Sequence, residues 1–146
     1  MRLPLIAKDL IKKTLMSVLA VPNVDTSRMI GQAAVEVMYT VAAASSGGAV
    51  LEANFHRSVS RTGIQRLPGL IIEVFCRCNR EIALARYRER SKRRHHGHFD
   101  DRRSDDERWN EEVTTPVAGE WALLEVNTDH PVDISAVIKD IKRLAG

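Results

Sequence analysis

Arg80, Arg86 and Arg90 fall in one stretch, CRCNREIALARYRERSKRRHHGHFD, that runs from Cys76 to Asp100. Arg86 and Arg90 are four residues apart, so a helix would stack them on one face. Each guanidinium offers a planar fork of donors matched to phosphate oxygens. An array of this kind at the mouth of an α/β sheet suits phosphoryl transfer, where moving charge has to be neutralised. The glycine-rich loop that usually cradles the phosphates ends in Gly-Lys-Ser/Thr, and no Gly-Lys pair occurs in the sequence. A plainer reading of the arginines is a solvated helix face, with Glu81 and Glu89 as neighbours.

Other side chains of chemical interest lie at predicted strand ends. Asp9 follows the first strand, Glu52 and Asn54 close the second, and Arg80 follows the third. Ligands of open α/β sheets bind beyond the carboxyl ends of the strands, so these residues share a candidate edge. An acidic residue on an apolar strand, as Glu52 is, needs a partner or solvent. Asp9 could equally be a first-turn aspartate favoured by the helix dipole. His95, His98 and Asp100 are sound zinc ligand types, but no clear fourth ligand accompanies them, and no metal site is assigned. Cys76 and Cys78, two apart in a predicted strand, point the same way about 6.5 Å apart. That spacing disfavours a disulfide, and a lone Cys-x-Cys is a weak metal signal, so the pair reads as two small buried thiols.

The elements that must position these groups are legible as changes of period. Leu3 to Ala7 reads as a buried strand. Leu10, Ile11, Thr14, Leu15, Val18 and Leu19 form a helical stripe, with Lys8, Lys12 and Lys13 turned away. A longer helix capped by Thr26 or Ser27 carries Ile30, Ala33, Ala34, Val37 and Val41. Strands are predicted at 49–54, 70–75 and 121–126. Asn79 caps the arginine helix, and Pro131 opens a last helix whose Ile134, Val137, Ile138, Ile141 and Leu144 face the core. Strands alternating with helices predict α/β architecture, a mostly parallel sheet between two helical layers.

With 146 residues, 44% hydrophobic and 28% charged, the chain is long enough for one domain with a substantial core, which excludes wholesale disorder. Net charge is only +3, yet half of the 22 basic residues lie between Arg77 and Arg108, which points to an anionic partner. No apolar run is long enough to span a membrane, and the N-terminus lacks a signal-peptide pattern, so a cytoplasmic protein is expected.

The segments LPLIAKDLIKKTL, GGAVLEANF, VFCRCNREIALARYRER, RRHHGHFD and LLEVNTDHPVDISAVI, in that order, resemble small P-loop kinases of the zeta-toxin and chloramphenicol-phosphotransferase-like kind, also labelled AAA-domain ATP-binding proteins. The resemblance runs from Leu3 nearly to the C-terminus. It implies a single kinase-like domain over residues 1–146, a three-layer sandwich, with a basic lid over residues 86–112. Asp9 would orient or deprotonate an acceptor hydroxyl, and Glu52 would hold a magnesium-bound water. Asn54 and Arg57 would lie beside the acceptor. Arg86 and Arg90 would close over the triphosphate, with Arg80 and Arg94 assisting, and His95 and His98 would contact substrate or phosphate. ATP and magnesium would be the cofactors, and a small hydroxyl-bearing molecule the acceptor.

In that family the sheet begins one strand, phosphate loop and helix earlier, about 25 residues by typical element lengths. The expectation is therefore a kinase scaffold without its central strand and loop, inactive alone, with Met1 an internal start. The missing strand would lie between those ending near Glu52 and Phe75, leaving two unpaired edges and a marginally stable or self-associating chain. Two alternatives use other chemistry. One is a nucleic-acid-binding module on residues 77–108, although Phe99 and Trp109 are its main aromatics for stacking. The other is a non-catalytic interaction protein that pairs through its sheet edges.

Overall fold

The alternation of short apolar runs with amphipathic stretches produces four strands and seven helices among residues 3–92 and 104–146, which the computed structural model describes. In chain order they are β1 Leu5–Ala7, α1 Lys8–Met16, α2 Val24–Ala44, β2 Val50–Glu52 and α3 Arg57–Gln65. There follow β3 Ile72–Arg77, α4 Arg80–Ser91, α5 Asp105–Arg108, α6 Glu111–Thr114, β4 Ala122–Asn127 and α7 Ile134–Leu144. The class is α/β and both sheets are parallel. The strands form two separate pairs, β1–β2 and β3–β4; β2 and β3, which the sequence reading left with unpaired edges near Glu52 and Phe75, are not hydrogen-bonded neighbours. The described residues form two compact units. The first comprises residues 3–54 and 62–68, the second residues 55–61, 69–92 and 104–146.

In the first unit Leu5, Ile6 and Ala7 pair with Val50, Leu51 and Glu52. Helices α1 and α2 pack together, and Ile6, Met16, Ile30, Ala34, Met38, Tyr39 and Ile64 make the core. The cap of α2 is Asn23, not Thr26 or Ser27; its side chain accepts the Thr26 N–H at 2.8 Å. Ser27 is fully buried instead, and this changes the expected faces. Lys12, predicted to turn outward, is only 4% exposed and donates its Nζ to Ser27 Oγ at 2.9 Å. The Lys12 ammonium also packs beside Gly31, where an added Cβ would be in ordinary contact with it at 3.6 Å. A buried lysine needs such an acceptor, because an unmet charge costs several kcal/mol in a core. Leu10, Val18 and Leu19, placed on the core stripe by periodicity, are exposed.

In the second unit β3 and β4 pair over six residues, from Ile72↔Ala122 to Arg77↔Asn127. Glu73 ties the segment before β4 to β3. One carboxylate oxygen accepts the Val117 N–H at 2.7 Å, and the other accepts the Ala118 N–H at 3.0 Å and Trp121 Nε1–H at 2.8 Å. Helix α7 packs on β4. Its N-cap is Asp133, two residues beyond Pro131, and accepts the Ala136 N–H at 3.1 Å. Ile134 and Ile138, expected in the core, are 63% and 47% exposed. The periodicity that identified α7 as amphipathic reports a face that could be buried, not one that is.

Candidate functional site

The first unit gathers carboxylates at one sheet edge. The Ala7↔Glu52 register ends both strands together, and Asp9 lies two residues beyond Ala7 in the first turn of α1. Asp9 Oδ1 meets Lys8 Nζ at 2.7 Å, an ion pair that holds the carboxylate at the helix N-terminus, where the macrodipole also favours it. Glu52 and Asn54 are exposed along the same exit from β2. Three of the residues singled out by sequence are thus brought to one edge by strand pairing alone.

The second unit positions the arginines. Asn79 caps α4 as expected, its side chain accepting the Glu81 N–H at 2.9 Å. The Asn79 N–H in turn donates to Asp129 Oδ1 at 2.6 Å, and this bond holds the Asp129 carboxyl below its ordinary range. Thr128 donates its N–H and its hydroxyl to the Arg77 carbonyl, so the exits of β3 and β4 are stitched together. Arg86 completes this seam: Nη1 donates to the Thr128 carbonyl at 2.7 Å and Nη2 to the Asp129 carbonyl at 3.2 Å. Arg86 and Arg90 both line an open groove of about 590 Å³, with Cys76, Cys78, Ala83, Glu89 and Thr128.

Arg80 is not among that groove's lining residues; its Nη2 meets Asp106 Oδ1 at 2.9 Å. Arg88 likewise meets Asp105 at 2.6 Å, and Lys92 meets Glu89 at 2.7 Å. The basic patch inferred from counting is therefore partly neutralised by its own acidic residues. Arg57 lies in a different groove of about 330 Å³ with Ser58, Arg61, Glu111 and Glu112. There Glu112 accepts both the N–H and the hydroxyl of Ser58, at 2.9 and 2.6 Å, and these bonds hold its carboxyl below the usual range. Arg94, His95 and His98 lie outside the described residues.

Sequence reasoning missed the Ser58–Glu112 pair and the acidic partners of Arg80 and Arg88. Their members are 54, 26 and 17 residues apart, so no local spacing announces them. It also misplaced the thiols. Cys76 is exposed and Cys78 half-exposed, because one face of the two-stranded β3–β4 pair is left partly open where a buried strand was expected. Among the described residues no group of three or more His, Cys, Asp or Glu could hold a metal ion. No described helix is long and apolar enough to cross a membrane.

No protein-family model matches the chain, and no curated protein does. Among solved structures, the fold is similar to a crystal structure described as a "putative kinase" from Chloroflexus aurantiacus J-10-fl. The two are 25% identical, and the match covers 98% of this chain and 84% of that one with a TM-score of 0.79. The chain is an α/β protein with small parallel sheets whose fold resembles that of this kinase-named protein.

Proposed function

We propose that this chain is a small-molecule kinase scaffold of the P-loop type that supplies acceptor-side and lid-side residues but does not turn over ATP by itself. The observation that carries the reading is the likeness, along nearly the whole chain, to a protein named as a kinase. In this reading Asp9 orients the acceptor hydroxyl and Glu52 stands where a magnesium-bound water would be held. Asn54 and Arg57 serve the acceptor, and Arg86 and Arg90 face phosphate oxygens, with Arg80 and Arg94 in support. His95 and His98 contact substrate.

The residues present do not complete a site for ATP and magnesium. The sequence has no Gly-Lys pair to cradle the β- and γ-phosphates. Among the described residues no three ligands converge on a metal position, and Arg80 and Arg86 already hold Asp106 and two carbonyls. No phosphoryl-transfer step is therefore assigned to this chain. What its residues can do is attract an anionic ligand, with Arg90, on the rim of the 590 Å³ groove, best placed to reach one.

Thermal unfolding with and without ATP and magnesium tests this. At ten times its Kd a ligand adds about 1.4 kcal/mol, which raises Tm by roughly 3–6 °C for a chain near this size. ATP at millimolar concentration is expected to raise Tm, and Arg90→Ala to abolish the rise. An ATP effect no larger than that of sulfate at equal ionic strength would remove the nucleotide from the reading.

A further inference from the structure

Cys76 and Cys78 are the two cysteines of the sequence, both are free thiols, and both line the groove at the exit of β3. Nothing in the kinase reading uses them. We propose that they form a two-thiol site for a soft monovalent metal ion of the copper(I) class.

Spacing is the first argument. Residues two apart on a strand lie about 6.6 Å apart along the chain, whereas a disulfide requires Cβ atoms within about 4.5 Å. A metal ion inserted between two sulfurs, at about 2.3 Å from each, separates them by just under 5 Å. Cys76 lies in β3 and Cys78 one residue past its end, and both line one groove, so two thiols turned toward each other across it would take a bridging ion where a disulfide is disfavoured. Coordination number is the second. Zinc takes four ligands, and among the described residues no group of three or more ligating side chains occurs. With two soft thiolates as the ligand set, copper(I) is selected over zinc.

Charge is the third. Binding releases two protons from two thiols and leaves a complex of one monovalent cation and two thiolates, with net charge −1 and no change of oxidation state. Arg86 Nη1 lies 3.6 Å from Cys78 Sγ, and Arg90 lines the same groove, so cationic groups face that negative complex. Two carboxylates oppose it. Glu89 lines the groove, and the Asp129 carboxylate accepts a hydrogen bond from the Cys78 thiol, which binding would remove.

The test is a titration of the reduced full chain with copper(I), without oxygen, against a coloured copper(I) chelator, with native mass spectrometry of the product. One ion per monomer is expected, with zinc at equal concentration failing to displace it. Because the two thiols act together, Cys76→Ser and Cys78→Ser should each weaken binding by about 10²-fold or more. Cys76→Ala and Cys78→Ala repeat the comparison, and circular dichroism confirms that each variant folds. Wild-type affinity in any folded single variant, displacement by zinc, or an ion that joins two chains would overturn the proposal.

Discussion

Arg86→Ala is expected to destabilise the second unit, and Arg90→Ala is not, although both side chains line one groove. The two Arg86 hydrogen bonds, at 2.7 and 3.2 Å, join α4 to the segment after β4, at carbonyls 42 and 43 residues away in the chain. A hydrogen bond contributes about 0.5–1.5 kcal/mol net, and one from a charged donor rather more. Arg86 is exposed, so both carbonyls can turn to water when it is removed. The longer bond is also the weaker. Together these place the loss at about 1–2 kcal/mol, or roughly 2–8 °C in Tm. Arg90 ends on the groove rim, and its truncation should stay within about 0.5 kcal/mol, as for most surface changes. Urea unfolding followed by circular dichroism and by tryptophan fluorescence gives both values. Equal losses in the two variants, or no loss in Arg86→Ala, would refute the division between an arginine that anchors the seam besides facing the groove and one that only faces the groove. The same pair of variants then decides how a nucleotide effect is read, because only Arg90→Ala removes a ligand contact without loosening the seam.

Glu73→Gln should cost about 2–3 kcal/mol, since the amide offers one acceptor and a clashing NH₂ where three N–H donors now converge; a Trp121 fluorescence melt would register it, and a loss below about 0.5 kcal/mol would contradict the bonding described. Gly63→Ala should destabilise the first unit by about 1–3 kcal/mol, because the added methyl would lie against the buried Tyr39 ring, with Cζ at 2.9 Å, and calorimetry would measure it. Glu112 and Asp129 have carboxyl pKa values depressed in the folded state, chiefly by the Ser58 hydroxyl and the Asn79 N–H respectively. The stability they contribute is therefore present above the ordinary carboxylate range and is lost as pH falls through the depressed folded values. Glu112→Gln should be less stable than wild type at pH 7 and converge with it once pH has fallen through the depressed folded value, as urea midpoints across the acid range would reveal.

Local chemistry carried much of the architecture into the sequence. Asn79 ahead of Arg80-Glu81 predicted the start of α4, and the structure places its cap there, because an N-cap depends on residues within one turn. The four strands were found to within one or two residues, and the parallel register of Ala7 with Glu52 ends β1 and β2 together, because parallel pairing of short strands aligns their carboxyl ends. Periodicity also identified α1, α2 and α7 as helices.

Which helix faces are buried was decided only by tertiary packing. Lys12 is inside, where Ser27 offers its ammonium a hydroxyl, while Ile134 and Ile138 are outside despite an apolar stripe. Cys76 is exposed and Cys78 half-exposed although both were read as buried, because burial of a strand's face depends on what packs over it and not on the strand's own residues. Arg86 was legible as a basic residue on a helix, but its role as a seam depends on carbonyls more than 40 residues away. Residue type and spacing determine what a side chain is able to do. Its partners are set by contacts distant in sequence, because desolvation and hydrogen bonding act between groups that meet only when the chain has folded.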